Sequence, residues 1–254
     1  MSVADGARQA LDELAATTAS DTYGPRTMRN WHPLPSCFFR RAVPAISLLV
    51  LVVWQVTALW RDVSALDAHL SWSVAAGCLR CALYAVFLSV PIVVFLVHEP
   101  PSASDDRIAI RAAAIVASFL LILLGLLAPS GPTLLHVSLK VEVAALAITL
   151  VGAMLAVCAV GVLGMNFSFG PEARQLVVRG PYRLVRHPIY LAEVLMSCGV
   201  LLSNLRLTML VGECAVVVLQ IIRIRAEERL LANAFPAFQE FVSVTCSRLV
   251  PGVW

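Results

Sequence analysis

Charge is what this sequence has least of. Of its 254 residues only 14% are Asp, Glu, Lys or Arg, where soluble domains carry about 25%. Hydrophobic residues make up 59% and mean hydropathy is +0.84, which excludes a disordered chain. A net charge of +3 leaves no basic surplus to cover a phosphate backbone, so no nucleic-acid partner is expected. Lysine is nearly absent: Lys140 stands alone against 18 Arg, a bias given no functional weight. No GxGxxG follows a strand, and neither a P-loop nor HExxH occurs, which removes the usual dinucleotide, nucleotide and zinc-protease sites. Cys78 and Cys81 form a CxxC, but no second pair or nearby His completes a metal set, so no metal is expected. The cysteines, mostly inside apolar runs, read as ordinary apolar packing. No internal repeat is visible, which argues against a transporter built from inverted halves.

What the chain does have is long apolar runs. Six follow a polar segment, at 43–60, 73–97, 108–128, 138–163, 188–202 and 207–222. A span needs about 20 apolar residues, so the last two are short; joined by Ser203-Asn204-Leu205-Arg206, they read as a helical hairpin that either crosses or dips in and returns. The expected fold is an all-α polytopic membrane bundle of five to six transmembrane helices, the last two a short hairpin, followed by an amphipathic helix over 223–241. Residues 1–42 read as a loosely ordered polar arm with a short helix near 5–16. Residues 43–137 hold the first three spans and 138–254 the functional core. With the N-terminus in the cytoplasm, 15 Arg fall on inside segments, against Arg61, Arg80, Lys140 and Arg206 outside. By the positive-inside rule, both termini are then cytoplasmic.

The same layout puts two unusual segments, 164–187 and 223–248, on one face. The first ends in GPYRLVRHPIYLAE (180–193). Pro188 suits the first turn of a helix, so His187 stands at its entrance, with Tyr182 and Tyr190 close by and Glu193 deeper. The blander interpretation is an Arg cluster that anchors orientation beside a helix cap; it leaves the His-Tyr grouping unexplained. The second segment reads RIRAEERLLANAFPAFQEF (223–241). Here the blander interpretation is a solvated face of Arg–Glu pairs within one helix, each worth about 0.3–0.5 kcal/mol. Its Leu230, Leu231, Phe235, Phe238 and Phe241 give an apolar stripe for the bundle or the lipid interface. Glu142, Glu193 and Glu213 fall inside apolar runs, where a carboxylate defaults to a functional hypothesis. Lys140 is placed to snorkel beside Glu142, and Arg80 is taken as structural.

GPYRLVRHPIY (180–190), followed by RIRAEERLL (223–231), resembles the isoprenylcysteine carboxyl methyltransferase family, which is grouped with membrane phospholipid methyltransferases. The resemblance covers roughly residues 150–250. It implies an S-adenosylmethionine-dependent membrane methyltransferase with its active site at the cytoplasmic face. By that resemblance, Tyr182, His187, Pro188 and Tyr190 line the cofactor pocket. Backbone at Arg174, Gln175, Leu176 and Val177 closes over it. Glu227, with Glu228 beside it, pairs with the amino group of the methionine moiety, and Arg223 orients a lipophilic acceptor, with Glu193 as a second acceptor-side residue. Arg223 and Glu227 are thus the expected catalytic pair. The acceptor stays open between a lipid or isoprenoid carboxylate, a thiol and an amine headgroup. Two other readings remain: an NADPH-dependent membrane reductase of the sterol-reductase type, and a non-enzymatic membrane protein.

Overall fold

The computed structural model describes residues 3–20, scattered positions between 49 and 134, and then 138–164, 172–173 and 176–254. Residues 21–42, most of the first three apolar runs, and Arg174 and Gln175 lie outside the described residues. Described positions within those runs, such as Leu49, Val53, Ala75–Arg80 and Ala117, are helical.

Helix α1 spans Val3–Ser20, longer than the short helix expected near 5–16. It is also docked rather than loose: Leu11 and Leu14 are 6% and 3% exposed.

Two two-residue strands, β1 (Ala103–Ser104) and β2 (Glu172–Ala173), pair antiparallel with Ala103 opposite Ala173. They are a small departure from the all-α expectation. They tie the segment before the third apolar run to the one leading into the GPY turn.

Helix α2, Leu139–Leu163, starts after Ser138 in extended conformation and stops at Gly164, whose φ of +52° suits glycine. Its 25 residues rise about 37 Å. Its buried face is built from small residues at alternating steps of four and three: Ala145, Thr149, Gly152, Ala156 and Ala159. Helix α3, Pro188–Ser203, packs along that face, and the two form the most extensive helix pair among the described elements. A Cβ on Gly152 would lie 2.8 Å from Met196 Cγ and 3.0 Å from the Ala192 carbonyl oxygen; one on Gly199 would lie 2.8 Å from the Ala145 carbonyl oxygen. Between membrane helices the hydrophobic effect gives little drive, so close backbone approach through small residues supplies the packing.

Asn204 to Arg206 turn the chain into helix α4, Leu207–Ala234, which completes the expected hairpin. Helix α3 has 16 residues, about 24 Å, short of a hydrocarbon core of about 30 Å. Among the described residues α2 and α4 are the two helices long and apolar enough to cross a membrane, with α3 as a shorter apolar helix. Large apolar side chains point outward from both, among them Val151, Met154 and Val157 on α2 and Val211 and Val218 on α4, as on lipid-facing surfaces. This is a membrane protein.

The amphipathic helix expected over 223–241 is broken. Phe235 is extended (φ −125°, ψ 113°) and ends α4, because the residue before Pro236 is pushed out of the helical region. A separate helix α5, Phe238–Val244, then turns its Phe238 and Phe241 onto α1, Leu176 and Val178. The partner of Glu142 also differs from expectation. Arg80 Nη1 lies 2.8 Å from Glu142 Oε2, with both side chains 11% exposed, so the second apolar run and α2 are joined by an ion pair and Lys140 is not needed.

Candidate active site

The site is assembled where the start of α3 meets the polar end of α4. Gly180–Arg183 forms a 3₁₀ turn. Gly180 adopts φ +55°, and a Cβ there would also lie 2.8 Å from Val162 Cγ2, so both backbone conformation and the contact with α2 call for glycine. His187 caps α3 and Pro188 occupies its first turn, as the local signals predict. The backbone N–H groups of Arg186 and His187 donate to the carbonyls of Ser247 and Arg248 at 3.0 Å each. The loop is thereby laced to the C-terminal segment before α3 begins.

The first group of side chains surrounds Glu227. Tyr190 Oη donates to Glu227 Oε2 at 2.7 Å, and His187 Nδ1 stands 3.9 Å from the same oxygen. Tyr182 is buried, and burial, reinforced by the nearby Glu227 charge, raises its phenol far above the ordinary value, so it stays a neutral hydroxyl. Glu227 keeps 25% exposure, and its Oε1 has no hydrogen-bond partner among the described residues.

Glu228 is occupied differently. Its Oε1 lies 3.1 Å from Arg186 Nε and 3.4 Å from His187 Nε2, and Arg248 Nε donates to its Oε2 at 2.9 Å. Burial lowers the Arg186 pKa, Glu228 raises it again, and Arg248 pushes it down, as expected of two guanidinium groups sharing one carboxylate. Arg248 also sits over the Trp254 ring, 5.2 Å from its centroid, while the Trp254 carbonyl accepts from the backbone of Arg248, Leu249 and Val250. Adjacent glutamates thus have different work. Glu228 on α4 contacts both the loop and the C-terminal segment, and Glu227 keeps one oxygen without a hydrogen-bond partner among the described residues.

The third group lies one turn deeper. Arg223 is 3% exposed; its Nη1 donates to Glu193 Oε2 at 3.1 Å and to Gln220 Oε1 at 2.9 Å. Gln220 Nε2 also donates to Glu193. The Arg223 guanidinium carbon sits 4.6 Å from the Tyr190 ring centroid, within cation–π range. Deeper still, Ser197 Oγ donates to Glu213 Oε1 at 2.9 Å, and Cys198 Sγ is 3.6 Å from that oxygen.

Among the described residues, the ion pairs of Glu193 and Glu228 run between elements, where the spacing suggests pairs within one helix. Of the sequence-predicted residues, Tyr182, His187, Pro188, Tyr190, Glu193, Arg223, Glu227 and Glu228 come together. Leu176 is buried against α1 and α5, with Val177 half-buried beside it. Sequence reasoning missed Arg186, Arg248 and Gln220. A signal existed for Gln220: Glu213, Gln220 and Glu227 recur every seven residues, which places them on one face of α4. Nothing local marks Arg248, twenty residues beyond its carboxylate.

Residues 140–237 match the phospholipid methyltransferase family, a segment that takes in α2 from its second residue, the GPY turn, α3 and α4. A curated relative, the cobalt-zinc-cadmium resistance protein CzcN of Cupriavidus metallidurans, is 35% identical over 78 residues, which is 30% of this chain and 36% of the relative. The chain thus spans about a third of that protein's length.

Proposed function

We propose that the protein transfers a methyl group from S-adenosylmethionine to a carboxylate on a lipophilic, isoprenoid-like acceptor, at the cytoplasmic face of the membrane. The observation that carries this reading is Glu227: a carboxylate positioned by the Tyr190 hydroxyl, faced by His187, and keeping one oxygen without a hydrogen-bond partner among the described residues. That donor set fits the methionine ammonium through a charge-assisted hydrogen bond. The neighbouring Tyr rings fit an adenine or a sulfonium.

When bound, S-adenosylmethionine supplies a methyl on sulfonium sulfur; the acceptor O–CH3 bond forms as the S–CH3 bond breaks, and the electron pair stays on sulfur. A carboxylate acceptor is already an anion, so no proton has to move. The protein's part is alignment and exclusion of water, which supply about 7–11 kcal/mol in well-oriented reactions. Arg223, buried one turn before Glu227 on α4, orients the acceptor. Leu176 and Val177 close over the donor with their backbone.

A second acceptor reading rests on Glu193. It already pairs with Arg223, which lowers the attraction of that guanidinium for an anion. Glu193 also places a carboxylate where a thiol or amine could deliver its proton on methylation.

The test uses detergent-solubilised protein. S-adenosylhomocysteine should bind, NADPH should not compete, and His187→Ala and Glu227→Ala should each weaken binding; binding of NADPH instead would favour a reductase. Labelled methyl donor is then offered with a farnesylated cysteine analogue, a long-chain thiol, or phosphatidylethanolamine in vesicles. Label in a base-labile ester supports the carboxylate reading, and label on sulfur or nitrogen replaces it with the second.

A further inference from the structure

We infer that helix α1 is a working part of the donor site: through Leu11, Asp12 and Leu14 it clamps the 176–183 half of the loop in place. The inference rests on the methyl-donor reading of the site above. It concerns a helix outside the 140–237 segment that matches the methyltransferase family, so the family match does not account for it.

An isolated 18-residue helix of this composition is marginal, and what orders it is docking. Leu11 and Leu14 are buried in one cluster with Leu176 and Val178 of the loop and Phe238 and Phe241 of α5. Leu231, one turn beyond Glu227 on α4, packs against the same cluster. Helix α1 therefore lies across the junction of three elements that meet at the site.

Asp12 sets the register. It forms an ion pair with Arg183, and Arg183 Nε donates to the Val178 carbonyl at 3.4 Å. One arginine thus links α1 to both ends of the 178–183 turn, which carries Tyr182 toward Glu227. Asp12 is 68% exposed and Arg183 34%, so the pair contributes little energy by itself. The buried leucines supply the attachment and the ion pair chooses its position.

The other half of the loop does not depend on α1. Residues 186–187 are held from the opposite side by Ser247, Arg248 and Glu228. Loosening α1 should therefore free the 176–183 half while α3 and its cap remain in place. The expected consequence is weaker donor binding with little change in the fold. Linkage is reciprocal: if α1 favours the donor, the donor must favour docked α1.

The experiment uses the full chain in detergent. Leu11→Asp/Leu14→Asp should raise the Kd for S-adenosylhomocysteine by roughly tenfold or more and raise KM for S-adenosylmethionine more than it lowers kcat. Asp12→Arg and Arg183→Asp should each weaken binding by about two- to fivefold, and the combined swap should bind better than Arg183→Asp alone, recovering the ion-pair part of the loss but not the bond to the Val178 carbonyl. Amide exchange in residues 3–20 should slow when S-adenosylhomocysteine is added to wild-type protein. Wild-type affinity in the leucine variant, or α1 exchange indifferent to the ligand, overturns the clamp and leaves the donor reading standing. A wild-type protein that does not bind S-adenosylhomocysteine overturns both. Should the leucine variant fail to fold, the charge swap and the exchange measurement decide the matter alone.

Discussion

Tyr190 Oη donates a 2.7 Å hydrogen bond to Glu227 Oε2, joining the first turn of α3 to the polar end of α4 across 37 residues of sequence. The bond aims a carboxylate that its neighbour, Glu228, cannot replace. Charge-assisted hydrogen bonds contribute about 1.5–3 kcal/mol. Glu227→Gln keeps the shape and loses the charge, so it should raise the Kd for S-adenosylhomocysteine by about 10- to 150-fold, while Tyr190→Phe should cost less because the carboxylate remains. Calorimetric titration of both variants checks the order.

Glu228→Gln should behave in the opposite way, because its carboxylate lies between Arg186 and Arg248 and accepts a hydrogen bond from Arg248. Breaking a buried ion group by removing one member typically costs about 3–5 kcal/mol; the partial exposure of Arg248 puts the expectation at or below the lower end. The readout is thermal unfolding in detergent without ligand, where Glu228→Gln should fall well below Glu227→Gln.

Gly180→Ala should destabilise the GPY turn. Its φ of +55° costs an L-residue about 1–2 kcal/mol, and the new methyl would press on Val162. Gly199→Leu should be worse, since its side chain would meet Ala145 and Thr149 and force α2 and α3 apart. Expression level and monodispersity in detergent rank the two, and Gly161→Ala, where open space surrounds the glycine, serves as the tolerated control.

Arg80 and Glu142 lie 62 residues apart and pair at 2.8 Å. Removing either should leave a charge in an apolar setting and lower stability, and removing both together should cost less than the sum of the single changes. A double-mutant cycle with Arg80→Met and Glu142→Gln measures the coupling; strict additivity would show that the pair contributes nothing.

Much of the architecture follows from local signals. Ser138, Gly164, Pro188 and the 203–206 turn bound apolar runs at their ends, so α2, α3 and the start of α4 are legible from hydropathy and caps. Pro236 was equally legible as a helix breaker, yet the apolar period of Leu231, Phe235 and Phe238 continues across it and suggested one helix where the chain forms two. For α1, the few apolar positions among Asp5, Asp12 and Glu13 gave no reason to expect burial, because its partners lie more than 160 residues away.

The sequence by itself determined that the protein belongs in a membrane, where its apolar helices begin, and that its polar chemistry is gathered in two segments. These are properties of composition and of short-range backbone preference, and neighbouring residues are enough to express them. Only the tertiary structure decided which carboxylate does what. Glu227 and Glu228 are adjacent and chemically identical, and helical spacing offers each an arginine within one turn, Arg223 for Glu227 and Arg225 for Glu228. They part company because packing brings Arg248, Arg186 and the His187 Nε2 edge against one, and the Tyr190 hydroxyl and the His187 Nδ1 edge against the other. Long-range packing likewise assigned Arg80 to Glu142 and Leu11 and Leu14 to the loop, since no local period encodes contacts between elements so far apart in the chain.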